Sequence, residues 1–172
     1  MQQMRRVAVV GCGGSGKSYV ARELGRLLGA PVTHLDGIFF DDEWNSLPPG
    51  KFEAAQREVV AARSWVVDGN YNSTLRVRLD ACDTVVFMDV PTWAALWGIV
   101  SRQFRHGAGQ HSAGVYNRIN VAVLRYVATY RRRMRPQVLT KIHEHGGHAT
   151  VIRLTSRRRT RRWLEQVAAQ RT

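Results

Sequence analysis

Short apolar, β-branched runs alternate along this chain with stretches whose apolar residues recur every three to four positions. The first pattern predicts strands at Arg6–Val10, Val32–Leu35, Trp65–Asp68, Thr84–Met88 and Ala149–Leu154. The second predicts helices at Lys17–Leu28, Phe52–Arg63, Ser73–Leu79, Thr92–Phe104, Tyr116–Arg133 and Ser156–Ala169. Pro91-Thr92 is a start signal for the fourth helix and Gly29 a stop signal for the first. Strand runs such as Val85-Val86-Phe87-Met88 are apolar without alternation, as in strands covered on both faces. Strand and helix in alternation predict an α/β fold with a parallel sheet. No internal repeat and no linker interrupts the 172 residues, so a single domain is expected.

Between the first strand and the first helix the chain reads Gly11-Cys12-Gly13-Gly14-Ser15-Gly16-Lys17-Ser18. This is the pattern G-x-x-x-x-G-K-[ST] in the strand–loop–helix setting that a phosphate-binding loop requires. Glycines let successive N–H groups curl inward around a polyphosphate. Gly11, Gly13, Gly14, Ser15, Gly16, Lys17 and Ser18 are therefore the expected nucleotide contacts. Lys17 can reach the β- and γ-phosphates, and the Ser18 hydroxyl can sit on Mg²⁺. ATP and Mg²⁺ are the expected cofactors.

Composition narrows the setting. Hydrophobic residues make up 44% and charged residues 23%, as in ordinary globular proteins, and no apolar run approaches a membrane span of ~20 residues. The apolar stretch after Met1 to Arg6 stops at Gly11, too short for a signal peptide. Cys12 and Cys82 are the only cysteines, and Cys12 lies inside the loop, so a reducing cytoplasm is expected. The net charge of +13 is uneven. Through residue 100 there are 10 Lys/Arg against 11 Asp/Glu; beyond it, 16 against 2. The second half thus needs an anionic partner, either nucleotide phosphates or a nucleic-acid backbone.

Three carboxylates end or follow strands, where ligands of parallel sheets bind. Asp68 closes Trp65-Val66-Val67-Asp68 and is preferred as the acid that holds Mg²⁺, because Gly69-Asn70-Tyr71 follows and can present backbone to a substrate. Asp89 competes for that role and is read instead as a capping carboxylate ahead of Pro91. Asp36 follows the second strand and is expected to act as a base or hydroxyl orienter. The stretch from His106 to Gly114 joins Arg-bearing helices through glycines, which suits a hinged lid over bound nucleotide.

In order and spacing, Gly11–Ser18, His34-Leu35-Asp36, Trp65 to Tyr71, Thr74-Leu75 with Arg78-Leu79, and Val85 to Pro91 resemble adenylate-kinase-related P-loop proteins. Within these, the chain is similar in particular to the DNA topology modulation proteins, over nearly its whole length. The resemblance implies a three-layer α/β/α fold with five parallel strands in the order 2-3-1-4-5. It also implies an Arg-rich lid at about 101–135, with Arg102, Arg105 and Arg118 as phosphate-gripping cations. Guanidinium suits that task because it stays charged and neutralises the transferring phosphoryl. Where nucleoside monophosphate kinases read Asp-Gly-Phe-Pro-Arg, this chain reads Asp68-Gly69-Asn70-Tyr71-Asn72 and lacks the acceptor-phosphate arginine. Arg57, Arg76 or Arg78 could replace it, with Arg78 favoured because the family pattern has arginine there. Trp44 and Tyr71 could stack on a flat substrate.

Two functions follow as expectations. The first is a phosphotransferase with Lys17, Asp36 and the lid arginines at the reaction, and the acceptor bound by Asp36, Arg57, Asn70, Tyr71 and Arg78. The second is a nucleic-acid-associated ATP-binding protein that influences DNA topology, using Arg131 to Arg133 and Arg157 to Arg162 for nonspecific phosphate contacts.

Overall fold

The computed structural model describes residues 4–41, 43, 45–106, 109–111, 115–117 and 121–170, with backbone only for 102–106, 109–111 and 115–117. Five parallel strands form one sheet: β1 (Arg6–Gly11), β2 (Val32–His34), β3 (Trp65–Asp68), β4 (Thr84–Met88) and, last in the chain, β7 (Thr150–Leu154). Their spatial order is β2-β3-β1-β4-β7, which in chain count is the expected 2-3-1-4-5. A separate antiparallel hairpin pairs β5 (Gly109–His111) with β6 (Val115–Asn117).

The helices are α1 (Lys17–Leu28), α2 (Leu35–Phe39), α3 (Pro49–Val60), α4 (Leu75–Ala81), α5 (Thr92–His106), α6 (Val121–His145) and α7 (Arg157–Ala169), with one 3₁₀ turn at Asn72–Thr74. β1, β3 and β4 are buried almost throughout because helices cover both faces. Val7, Val9 and Val66 pack with Val20, Ala21 and Leu24 of α1 on one face, joined by Leu164 and Val167 of α7. Ala8, Val10 and Val67 pack on the other with Phe52, Leu75, Leu79, Val138 and Ile142 from α3, α4 and α6. No helix among the described residues is long and apolar enough to cross a membrane.

Three expectations need correction. Leu35 leaves the sheet and opens the short helix α2, so Asp36 sits on that helix rather than at a strand end. Tyr116 lies in β6, not in a helix, and α6 starts only at Val121. α6 then runs past Pro136 to His145. A proline removes one helical hydrogen bond, but Val138 and Ile142 beyond it are locked into the core, and that packing carries the helix onward.

Candidate functional site

β1 delivers the chain to Gly11, next to Met88 of β4, and the loop then turns into α1 at Lys17 and Ser18. Gly14 has φ +74, and a Cβ there would lie 2.1 Å from the carbonyl oxygen of Ala95 and 2.8 Å from Ile99 Cγ1. Reciprocally, a Cβ on Gly98 would lie 2.1 Å from the Gly14 carbonyl oxygen. The loop is thus seated backbone to backbone on α5, a contact only glycine permits on both sides. Lys17 Nζ donates to the Cys12 carbonyl at 2.8 Å. Ser15 Oγ is buried with no hydrogen-bond partner among the described residues. A buried, unpaired hydroxyl in a glycine-rich loop ahead of a helix suits an anion that can accept from it. Burial pushes the Cys12 thiol up to about 11, against the opposing pull of Lys17, so the thiol stays neutral and inert.

At the carboxyl edge of β3, Asp68 stands in register with His34 of β2 on one side and Val9 of β1 on the other. Val66, two positions earlier on the same sheet face, packs beneath α1. Asp68 therefore projects toward the α1 side, where Ser18 occupies the first turn. His34 Nδ1 lies 2.7 Å from Asp68 Oδ1, with the two side chains 10% and 5% exposed. Asp89 is different. Arg131 Nη1 and Arg135 Nε donate to its Oδ1 at 3.3 and 2.8 Å, and Arg135 Nη2 and Arg153 Nε donate to Oδ2 at 2.9 and 2.7 Å. Burial alone would raise the Asp89 pKa, but the hydrogen bonds from Arg135 and Arg153 outweigh it and hold the carboxyl below its usual range. Asp89 is consequently not a simple cap ahead of Pro91. It is the anchor of α6 and β7, with both oxygens taken, whereas Asp68 Oδ2 is given no protein partner among the described residues.

A second network surrounds Asp36. The Tyr71 hydroxyl donates to Asp36 Oδ1 at 2.6 Å, and the Tyr71 ring packs against Phe39 and Phe52 at centroid distances of 4.9 Å. Tyr71 has φ 24, a left-handed backbone that a bulky residue rarely adopts and that marks local strain. Burial first, then the Asp36 charge, push its phenol pKa well up, so it remains a donor. Asn70 Nδ2 donates to the Tyr126 hydroxyl of α6 at 3.0 Å, and Arg78 Nη2 donates to the Asn70 carbonyl at 3.0 Å. Arg78 is wholly buried, and its Nε and Nη1 have no partner among the described residues. Desolvation lowers its pKa to about 10, opposed by the nearby Asp68 charge, so the guanidinium stays protonated.

The structure therefore groups Asp36, Asn70, Tyr71 and Arg78, and sets Asp68 beside the loop. It does not bring Arg57 to them: that side chain is 66% exposed and pairs with Glu53 one turn back on α3 at 2.6 Å. Arg76 likewise pairs with Asp80 at 3.0 Å. Arg102 and Arg105 lie on α5 in the segment of which only backbone is described, and Arg118 and Trp44 lie outside the described residues. β6 of the hairpin comes against α2, the helix that carries Asp36. The pattern reading missed His34, Tyr126 and the arginine cluster on Asp89. A signal existed for the last two, a tyrosine on the apolar face of α6 and a carboxylate ahead of an arginine-rich half, but His34 meets Asp68 only through the pairing of β2 with β3.

Among the described residues no group of three or more His, Cys, Asp or Glu side chains could hold a metal ion by itself. Mg²⁺ needs no such cage: it binds through one or two protein oxygens plus phosphates and water. Ser18 and Asp68 could supply oxygens of that kind.

No protein-family model matches the chain, and no curated protein sequence does. Solved structures do. A shikimate kinase from Acinetobacter baumannii in complex with shikimate is similar with TM-score 0.58 and 17% identity, over 98% of this chain and 93% of that one. A sugar kinase from Janibacter sp. HTCC2649 gives TM-score 0.53 and 14% identity, over 97% and 91%. A shikimate kinase from Bacteroides thetaiotaomicron gives 0.54 and 13%, over 97% and 98%. At these identities the likeness is one of architecture: the chain shares with these kinases a five-stranded parallel sheet covered by helices.

Proposed function

We propose that the protein is a phosphotransferase that moves the γ-phosphoryl group of Mg-ATP to a hydroxyl of a small acceptor. The observation that carries this reading is the meeting, at one edge of the sheet, of the glycine loop with two differently committed carboxylates, Asp68 and Asp36. The fold, shared with proteins named as kinases of shikimate and of a sugar, supports it.

Gly11 to Ser18 bind the polyphosphate, and Lys17 exchanges the Cys12 carbonyl for phosphate oxygens. Ser18 and Asp68 would hold Mg²⁺, whose charge would offset that of the bound phosphates. The acceptor lies between Asp36, Asn70 and Tyr71. Its oxygen attacks the γ-phosphorus, the bond to the β-phosphate oxygen breaks, ADP leaves, and the hydroxyl proton passes to Asp36. Arg78 fixes the Asn70 carbonyl and adds positive potential behind the acceptor. Arg102, Arg105 and Arg118 are the lid cations. The hairpin beside α2 belongs to that lid, which would close over Asp36.

An ADP-release assay over nucleosides, nucleotides and small hydroxylated acceptors tests the reading. Acceptor-stimulated turnover is expected, with Lys17→Ala lowering it by about 10²–10³-fold through lost charge stabilisation. Turnover that no acceptor stimulates, and a basal rate that Lys17→Ala leaves unchanged, would overturn it.

One observation favours a second reading, in which the chain binds ATP and nucleic acid and the likeness to topology modulation proteins reflects its role. Arg157, Arg158, Arg159, Arg161 and Arg162 are all exposed on α7, and no ion pair holds any of them among the described residues. Duplex and single-strand binding with a steep salt dependence that survives physiological salt would support it. Affinity no greater than that of a generic basic protein would count against it.

A further inference from the structure

We propose that His34 is a positioning residue for Asp68, fixing one carboxylate oxygen so that the other is presented to the metal. The proposal rests on the reading of Asp68 as the Mg²⁺-side acid. His34 and Asp68 are direct neighbours across the β2–β3 ladder, both at its carboxyl edge and on one face of the sheet. Their side chains are nearly closed to solvent, and Nδ1 lies 2.7 Å from Oδ1. A carboxylate can only accept, so Nδ1 carries the proton and donates.

The chemistry explains why histidine stands here. A carboxylate at the end of its short side chain rotates broadly about its last bond, and one firm hydrogen bond to Oδ1 selects an orientation. A second acid at position 34 would repel Asp68, and a lysine or arginine would neutralise it as the arginines neutralise Asp89. One imidazole N–H satisfies one buried oxygen and leaves the other free for a cation. Among the described residues Asp68 receives no other hydrogen bond. Among the described residues its orientation is therefore set by His34, the arrangement in which an outer partner tunes a metal ligand.

The test is ATP affinity with and without Mg²⁺, read by calorimetry, in wild type, Asp68→Asn, His34→Ala, His34→Asn and His34→Leu. Asp68→Asn is expected to remove most of the gain that Mg²⁺ confers. His34→Ala should reduce that gain by about tenfold, the low end of the effect of losing an outer partner, with metal-free ATP affinity unchanged within about twofold. His34→Asn, which keeps a donor, should restore most of the gain, and His34→Leu should not. If Asp68→Asn leaves the Mg²⁺ gain intact, the assignment of Asp68 fails and this proposal with it. If Asp68→Asn abolishes the gain but His34→Ala does not reduce it, the role of His34 alone is overturned. Should His34→Ala fail to fold, equal gains in His34→Asn and His34→Leu would overturn it as well.

Discussion

Around Gly14 the site is backbone seated on backbone, whereas around Asp36 it is a relay of side chains drawn from separate elements. At the first end, loop and α5 approach so closely that a single methyl group on Gly98 would overlap a carbonyl. At the second, α2, the loop after β3, α4 and α6 each contribute a polar side chain, and none touches its partner through sequence proximity. The difference suits two tasks. A polyphosphate is the same in every NTP-binding protein, so a fixed backbone cradle serves. An acceptor differs from one enzyme to the next, and side chains can change without disturbing the sheet.

That contrast can be broken most severely at the backbone end. Gly98→Ala forces a Cβ to 2.1 Å from the Gly14 carbonyl, backbone against backbone, where no side chain can swing aside. A loss of about 2–4 kcal/mol is expected from overpacking and the shift it imposes. At about 2–4 °C per kcal/mol for a chain of this size, the melting temperature should fall by roughly 5–15 °C. Gly50→Ala, where nothing lies within 4 Å, should stay within about 0.5 kcal/mol of wild type. If the two variants melt alike, the loop is not held by its seat on α5.

Asp89 joins the two charge halves of the chain, since the acid comes from the balanced half and its three arginines from the cationic one. Asp89→Asn removes the charge that holds Arg131, Arg135 and Arg153 together. About 2 kcal/mol should be lost at neutral pH, less than for a fully buried pair because those arginines are 41%, 22% and 54% exposed. The folded-state pKa of Asp89 is depressed, so its stabilisation is full above the unfolded value of about 4 and disappears as pH falls through the folded value. Denaturant unfolding should therefore separate wild type from variant at pH 7 and bring them together in acid. A gap that persists unchanged at low pH would mean the ion pairs are not its source.

The same contrast governs how much could be read from the sequence. The glycine loop is a local motif, and its strand and helix bear the periodicities that define them, so all three were legible, whereas the sheet order came from the family resemblance. The place of Asp68 at the carboxyl edge was legible because it ends an apolar strand. His34 was not, because its meaning depends on β2 lying beside β3, a fact of topology rather than of local pattern. Asp89 read as a cap because its arginines are 42, 46 and 64 residues away. Arg57 read as a substrate contact because arginine in a helix near the site looks the same whether it faces inward or pairs with Glu53. Pro91 and Pro136 carry the same residue-level signal, yet α6 ignores the second, since burial of Val138 and Ile142 outweighs one missing hydrogen bond.

The smallest expected effect lies at the side-chain end and asks whether that end is a site or a scaffold. Tyr71→Phe keeps the ring contacts with Phe39 and Phe52 and removes only the hydroxyl that donates to Asp36. Loss of one such hydrogen bond should cost about 1 kcal/mol. If the bond orients Asp36 for the acceptor hydroxyl, the cost appears in turnover, a fall of about five-fold by the usual conversion of barrier to rate. The KM for ATP should not move, because the phosphate cradle is built from elements that Tyr71 does not touch. If the bond only holds the strained loop after β3, the cost appears as a lower melting temperature with turnover intact. The strained backbone favours the first outcome. A bulky residue kept at φ 24 costs stability that its ring contacts alone do not require, whereas a hydroxyl that must reach Asp36 from that loop does.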